Sequence, residues 1–404
     1  MNESTFLDKL LDGVDVQWLP LGEICEVKNG YTPSKSKTEL WENGTVPWFR
    51  MEDIRKNGRV LSGSIQHVTS AAVKNGKLFP ANSIIMSTTA TIGEHALITK
   101  DFLCNQQLTV LSIKESFKNI LSPKYLFYYG FKIGDLCRGS VSPVGFALVG
   151  TTKVRKFQIP IPCPENPEKS LAIQAEIVRI LDTFTELTTE LTTELTARTK
   201  QYNYYRDQLL TFKEGEVELV PLANDHFFEI ANRGRRPVKA SLRIPGETPY
   251  YGANNVQDYV EGHTHDGEFV LIAEDGSASL EKYSIQYAVG MFWANNHVHV
   301  VAGKEGVNTR YLYHLLCTLN FIPYLSGGGR AKLTKGKLSE IPIPIPPLPE
   351  QARIVAILDK FDTLAHSISE GLPREIELRQ KQYEYYRDLL LNFPKSEPQT
   401  EIVA

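Results

Sequence analysis

The chain has 404 residues, 42% of them apolar and 23% charged, a balance that fits two or three folded domains and excludes a disordered or fibrous chain. No apolar run approaches the roughly 20 residues needed to cross a bilayer, and the opening MNESTFLDKL lacks the pattern of a secretion signal. Cys25, Cys104, Cys137, Cys163 and Cys317 are scattered and never form a CxxC pair, which excludes a zinc ribbon or disulfide framework and leads us to expect reduced thiols in the cytoplasm.

Taken in chain order, the elements are written twice. A globular segment opens with VQWLPL (16–21) and carries a strand pattern, SIIMST (83–88), then NQQLTVL (105–111) and a helix near YLFYYG (125–130). The proline run IPIPCPENP begins at 159, and a long amphipathic helix follows. VELVPL (217–222) opens a second globular segment with strand patterns EFVLIA (268–273) and HVHVVA (297–302), the echo NNHVHVV (295–301), and a helix near YLYHLL (311–316). IPIPIPPLP, from 341, leads into the last helical stretch. QAEIVRILDTFTEL (174–187) recurs as QARIVAILDKFDTL (351–364), and KQYNYYRDQLL (200–210) as KQYEYYRDLLL (381–391).

The helical copies have coiled-coil spacing. Ile173, Ile177, Ile180, Phe184, Leu187 and Leu191 alternate steps of four and three, as do Ile354, Ile357, Phe361, Leu364 and Ile368. Two long helices with matching seams are expected to pack on each other. The proline runs read as stiff lead-ins, since proline cannot continue a helix or pair centrally in a sheet. GLPRE (371–375) interrupts the second helix. Between Thr185 and Thr196 the word TELT stands three times, with Leu187, Leu191 and Leu195 on one broad face. Each word adds about one turn, roughly 6 Å, so the repeat reads as a spacer.

The predicted architecture is therefore α+β: two mixed α/β globular domains separated by two long helices, related by a pseudo-twofold internal repeat. The boundaries are 1–158, 159–214 (lead-in and central helix), 215–340, 341–394 (lead-in and distal helix) and a tail at 395–404.

Catalytic patterns are missing. There is no GxxxxGK[ST] phosphate loop, no GxGxxG after a strand, and none of the acidic-aromatic or Asn-Pro-Pro-aromatic motifs of adenine methyltransferases. Asp15 with Glu26 and Lys28 imitates a nuclease carboxylate set, but such spacing is common by chance. His263/His265 and His297/His299, at i,i+2, would share a strand face, yet a metal needs further ligands.

What remains is polar loop chemistry suited to DNA. A net charge of −3 argues against a nucleic-acid partner, but 16–157 holds 18 Lys and Arg against 10 Asp and Glu, and 227–345 holds 12 against 11. KNGYTPSKSK (28–37) and NRGRRPVK (232–239) occupy corresponding places early in each globular segment; 138–156 and GGGRAKLTKGK (327–337) correspond late in each. Lys28, Asn29, Tyr31, Ser34, Lys35, Arg138, Ser140, Lys153 and Arg155 are the candidate DNA contacts of the first segment. Those of the second are Arg233, Arg235, Arg236, Asn254, Asn255, Arg330, Lys332 and Lys335. Lys and Arg take phosphates, and Arg and Asn also reach base edges.

The doubled QAxIVxILDxF and KQYxYYRDxLL helices, the IPIP lead-ins, and the NGYTPSK and FWANNHVHVV (292–301) loops together resemble the specificity subunit of type I restriction-modification systems. They are most similar to the type IC subgroup with a four-residue repeat in the central helix. That repeat is usually Thr-Ala-Glu-Leu; here Thr189 and Thr193 stand in the alanine place. The resemblance implies two target-recognition domains, each reading half of a split, asymmetric double-stranded DNA target. It implies an antiparallel helix pair that sets their spacing and docks two methyltransferase subunits, with motor-endonuclease subunits joining them. S-adenosylmethionine, ATP and Mg would belong to those partners, and this chain would bind no cofactor. Tyr202, Tyr205, Arg206, Tyr383, Tyr386 and Arg387 are the expected partner-facing residues; Thr185, Leu187, Leu191, Leu195 and Thr196 mark the spacer. Two other classes fit less of the pattern: a coiled-coil scaffold with two protein-binding domains, which would show no salt-dependent DNA binding, and a lone nuclease, which would turn over by itself.

Overall fold

The computed structural model describes residues 6–141, 147–327, 331–367 and 370–394. Ile368, Arg330 and the tail at 395–404 lie outside the described residues. The chain forms two compact units, Met1–Thr189 with Leu378–Ala404, and Glu190–Glu377. The cuts fall inside the helices, so each unit owns one globular domain, one half of the central helix and part of the distal helical stretch.

In the first unit a five-stranded sheet runs in the order Cys25–Asn29, Leu108–Ile113, Ser83–Ser87, His95–Ile98, Val60–Leu61. Its central strands are buried almost throughout because both faces are covered. Ile84, Met86, Leu97 and Leu111 face the cluster built with the helix Pro123–Arg138, and Ile85, Ala96, Ile98 and Val110 face a second cluster with Phe49 and Phe102. This is the two-residue alternation of a strand. A small sheet consists of Gln66–Val68, Val46–Phe49 and Leu103–Cys104, in that order.

The second unit repeats the plan in a six-stranded sheet: Phe228–Ile230, Val298–Gly303, His265–Ala273, Ile285–Ala294, Pro245–Tyr251, Val256–Val260. Val270, Ile272 and Val301 face the cluster of the helix Thr309–Leu316, and Leu271, Val298 and Val300 face the other.

The IPIP runs are not lead-ins. Gln158–Pro162 pairs antiparallel with Val16–Pro20, and Pro342–Ile345 with Glu218–Pro221, each as an isolated two-stranded ribbon. A ribbon consists only of edges, where a residue without an N–H is tolerated. Both runs thereby belong to the globular domains they follow.

The central helix is continuous from Pro167 to Leu209, 43 residues, about 65 Å at 1.5 Å per residue. Pro167 opens it, and the Asn166 side chain caps it by accepting from Lys169 N at 3.1 Å. Its early turns serve the globular core rather than a helix seam: Ile173, Ile177, Val178 and Leu181 are buried in the first unit's main cluster. Helix pairing begins further on. Phe184 stacks on Tyr386 at 5.3 Å in the first unit, and Phe361 on Tyr205 at 5.5 Å in the second. Within the first unit the early half of the central helix thus meets the part of the distal helix Gly371–Leu390 beyond Leu378, and within the second the late half meets Leu348–His366. Between the two distal helices Gly371 has φ +74, and a Cβ there would strike the Thr363 carbonyl.

Two sets of bonds fix each globular domain on its helix, a third ties the domain's own helix to its proline ribbon, and the arrangement occurs twice. Gln174 Oε1 accepts from Ser122 N, and Gln351 Oε1 from Asn308 N, at 2.9 and 2.8 Å. Tyr125 donates to Pro160 O, and Tyr311 to Pro344 O, at 2.9 and 3.0 Å. Asp182 accepts from Lys124 and Tyr128; Asp359 accepts from Arg310 and His314.

The seam assignment moves the aromatic residues expected on the outer face. Tyr202 is buried, Tyr383 is partly buried against the first unit's core, and Tyr205 and Tyr386 are the stacking partners above. Arg206 lies over the Tyr202 ring, and Arg387 over Phe131 and Tyr383. Tyr204 and Tyr385, 62% and 66% exposed, are the residues these turns present outward. In KQYxYYRD the first and third tyrosines, at i and i+3, lie on the side of the neighbouring helix, Tyr205 still 40% exposed, and the second faces outward.

Candidate functional site

Both early loops are held by one construction. In the first unit Tyr31 N donates to Cys104 O at 2.8 Å, and the Trp48 indole donates to Tyr31 O at 3.0 Å. In the second, Arg236 N donates to Ala294 O at 3.0 Å, and the Trp293 indole donates to Arg236 O at 2.7 Å. A tryptophan suits this task because a large apolar ring carries a single N–H that reaches a backbone carbonyl; the Trp48 ring is buried and the Trp293 ring half-buried. Gly30 makes the first crossing possible, since a Cβ there would run into the Cys104 carbonyl oxygen.

Beyond the clamp, the first loop carries Ser34 and Lys35, both exposed. Lys35 lines a concavity of about 550 Å³ together with Trp41, Arg50, Asn105, Gln106 and Gln107. Arg50 and Asn105 each hold one polar atom, Nε and Oδ1, that is buried behind that wall without a hydrogen-bond partner. Thr32 donates to the Gln106 carboxamide, tying the loop to the 105–107 turn.

The other candidates of this unit have placed bonds. The Tyr31 hydroxyl donates to Ala72 O and accepts from Lys74 N, both at 3.0 Å, so it anchors the loop instead of pointing outward. Lys28 pairs with Glu26, whose carboxyl the Lys28 hydrogen bond holds below its ordinary value. Asn29 Oδ1 accepts from Thr109. Arg138 bonds Ile92 O and Asp135, and Arg155 bonds Val27 O. Lys153 donates to Ser140 O at 3.0 Å, which brings two members of the 138–156 group together.

In the second unit the candidate arginines divide. Arg233 and Arg236 are both exposed. Arg235 is a scaffold residue: its side chain, 17% exposed, bonds Glu274 at 2.6 Å and Val298 O at 2.8 Å. Lys332 reaches the other oxygen of Glu274 at 2.9 Å. Burial opposes ionisation of Glu274, but the hydrogen bonds from Arg235 and Lys332 win and hold its carboxyl below the usual range. Asn254 closes the 276–278 turn through Gly276 O and Ala278 N, and Asn255 bonds the following Val256 N. Lys335 is exposed at the start of Lys335–Ser339.

The histidine pairs do not share a face. His297 precedes the strand Val298–Gly303 and bonds Asp275 at 2.5 Å, while His299 is fully buried against Asn232 and Leu333 O. His263 is exposed, outside the strand that begins at His265, which is itself buried on Ala231 O.

Residues 13–201 and 217–378 match the family described as "Type I restriction modification DNA specificity domain". The Escherichia coli type I restriction enzyme EcoprrI specificity subunit is 48% identical over 379 residues, covering 92% of this chain and 93% of that protein. The Escherichia coli EcoR124I/EcoR124II specificity subunit is 37% identical over 428 residues, covering 98% and 99%. Among solved structures, the S subunit of a type I restriction-modification system from M. genitalium superposes with a TM-score of 0.58 at 16% identity, over 96% of this chain and 98% of that one; it supports the fold alone.

Proposed function

This chain belongs to the type I restriction modification DNA specificity family, and on that footing we propose that it is the non-catalytic specificity subunit of a type I restriction-modification complex. Each globular domain reads one half of a bipartite, asymmetric DNA target, and the helices set the gap between the halves. Two adenine methyltransferase subunits dock on the chain, with motor-endonuclease subunits recruited through them. S-adenosylmethionine, ATP and Mg act on those partners, in the cytoplasm.

The observation that carries this reading is the loop clamp built twice, Trp48 on Tyr31 and Trp293 on Arg236, with different polar residues beyond each clamp. Like loop anchors, supplied by tryptophans on different strands of the crossing, with unequal tips suit two readers of two different half-sites. The partner face is reassigned to the outward side that bears Tyr204 and Tyr385.

The test is reconstitution. The purified chain alone transfers no methyl groups; mixed with its methyltransferase subunit it directs adenine methylation to one split sequence. Methyl transfer by the chain alone, or saturation at one methyltransferase per chain, contradicts the proposal.

A further inference from the structure

We propose that Arg50 and Asn105 act as one reading pair that recognises a single A·T base pair in the half-site of the first unit, and that the second unit has no equivalent pair. The inference rests on the DNA-reading function proposed above and names the residues of one subsite.

Trp48–Phe49 runs parallel to Leu103–Cys104, with Phe49 paired to Cys104. The next residues on the two strands are Arg50 and Asn105, and Asn105 N donates to Phe49 O at 3.0 Å. Both side chains therefore leave adjacent strand ends into the same concavity, beside Lys35, Gln106 and Gln107. The base of Arg50 is fixed: its backbone N–H donates at 2.7 Å to Asp53, whose fully buried carboxylate also accepts from Ile65 N at 2.6 Å.

The two unpartnered atoms are of opposite kind, a donor on Arg50 and an acceptor on Asn105. A buried polar atom without a partner costs stability, so a ligand that supplies the partner is favoured. In the major groove only adenine offers an acceptor, N7, beside a donor, N6, on one base; guanine shows two acceptors. The pair reads adenine once both side chains turn from their buried positions toward the concavity, the donor meeting N7 and the acceptor N6.

The second unit repeats the crossing without the chemistry. Tyr251 pairs with Ala294 in the same parallel sense, and Asn295 N donates to Tyr251 O at 3.2 Å. The place of Arg50 is taken by Gly252, where a side chain would strike Gln257, and Asn295 Oδ1 already accepts from His297 N at 2.8 Å.

The experiment is methylation mapping with the chain assembled with its methyltransferase, comparing wild type with Arg50→Gln, Asn105→Leu and Asn105→Asp. The first two variants lose preference at one A·T position of one half-site by about 10- to 100-fold and leave the other half-site unchanged. Asn105→Asp, which keeps the acceptor, retains that preference. Unchanged motifs in Arg50→Gln and Asn105→Leu overturn the reading pair while leaving DNA reading intact, and equal weakening at both half-sites overturns it in favour of a structural role. A wild-type complex that methylates without a bipartite motif instead removes the function on which the pair depends.

Discussion

Gln351 accepts the backbone N–H of Asn308 on its Oε1 at 2.8 Å, while its amide donates to Gly306 O and Pro346 O. One fully buried side chain thus satisfies the N-cap of Thr309–Leu316 and the end of the proline ribbon together. Gln351→Ala leaves three backbone groups without partners, one buried and two part-buried, and should destabilise the second unit by about 2–4 kcal/mol. Thermal and urea unfolding measure it; a loss below about 0.5 kcal/mol would mean that water replaces the amide.

His95 supplies a pH dependence in the first unit. It is fully buried, and burial pushes its imidazole down to about 4 despite carbonyls at Gly93 and Phe127 that favour the charged form. A histidine lowered on folding is neutral in the native state but protonated in the unfolded chain between about pH 4 and 6.5, so stability falls as pH drops through that window. The steepest slope is about 1.4 kcal/mol per pH unit from this group. His95→Gln should flatten the pH 4–6.5 limb of the unfolding curve, and an unaltered limb counts against the assignment.

Arg233, Arg235 and Arg236 are neighbours in sequence and should separate in experiment. Arg235→Ala strands Glu274, 15% exposed, with Lys332 as its remaining cation and His299 at 3.8 Å, at a cost of about 2–4 kcal/mol in stability. Arg233→Ala and Arg236→Ala should leave stability within about 0.5 kcal/mol and lower DNA affinity. Removing one arginine–phosphate interaction reduces the slope of log affinity against log salt by about 1. Melting curves with salt-series binding distinguish the two groups; an Arg235→Ala chain as stable as wild type defeats the division.

Periodicity and repetition made the two globular domains and the long helix legible in the sequence, because burial stamps spacing on a chain. The buried strands at 83–87 and 268–273 needed no more than their apolar runs. Roles at the loops were less legible, since a basic residue looks alike whether it faces DNA or a buried carboxylate; Arg235 differs from Arg236 only by Glu274, 39 residues away. The orientation of the helical tyrosines was hard to read for a related reason. Their KQYxYYRD pattern holds three aromatics within four positions, and which two turn inward depends on Phe184 and Phe361. Arg50 carried no linear signal; the parallel pairing of Phe49 with Cys104 joins it to Asn105 across the intervening chain. The recurrence of NQQ as NNH was the available hint, and it pointed to a strand rather than a wall of a cavity.

The TELT words yield the last prediction. Through this stretch Leu187, Leu191 and Leu195 are half-buried, and Thr189 and Thr193 are exposed. The threonine hydroxyls bond back onto the helix: Thr185 to Leu181 O, Thr189 to Thr185 O and Thr196 to Thr192 O, at 3.0, 2.8 and 2.9 Å. Such bonds satisfy the hydroxyl internally and keep the threonine helical, with a slight tendency to bend the axis. The boundary between the compact units falls at Thr189/Glu190, inside the repeat, so each unit keeps its own aromatic stack on its own side of that boundary. Deleting one word shortens the helix by roughly 6 Å and rotates it by about 40°. Both half-sequences of the target should survive while the unspecified gap shrinks. An axial shift of roughly 6 Å is nearly two base pairs at about 3.4 Å each, and a rod inclined to the DNA registers less, so the expected change is about one base pair per word. A passive helical turn predicts an unchanged gap with lower stability. Methylation maps for chains with two, three and four words decide between these, and a gap that stays constant across the series refutes the ruler.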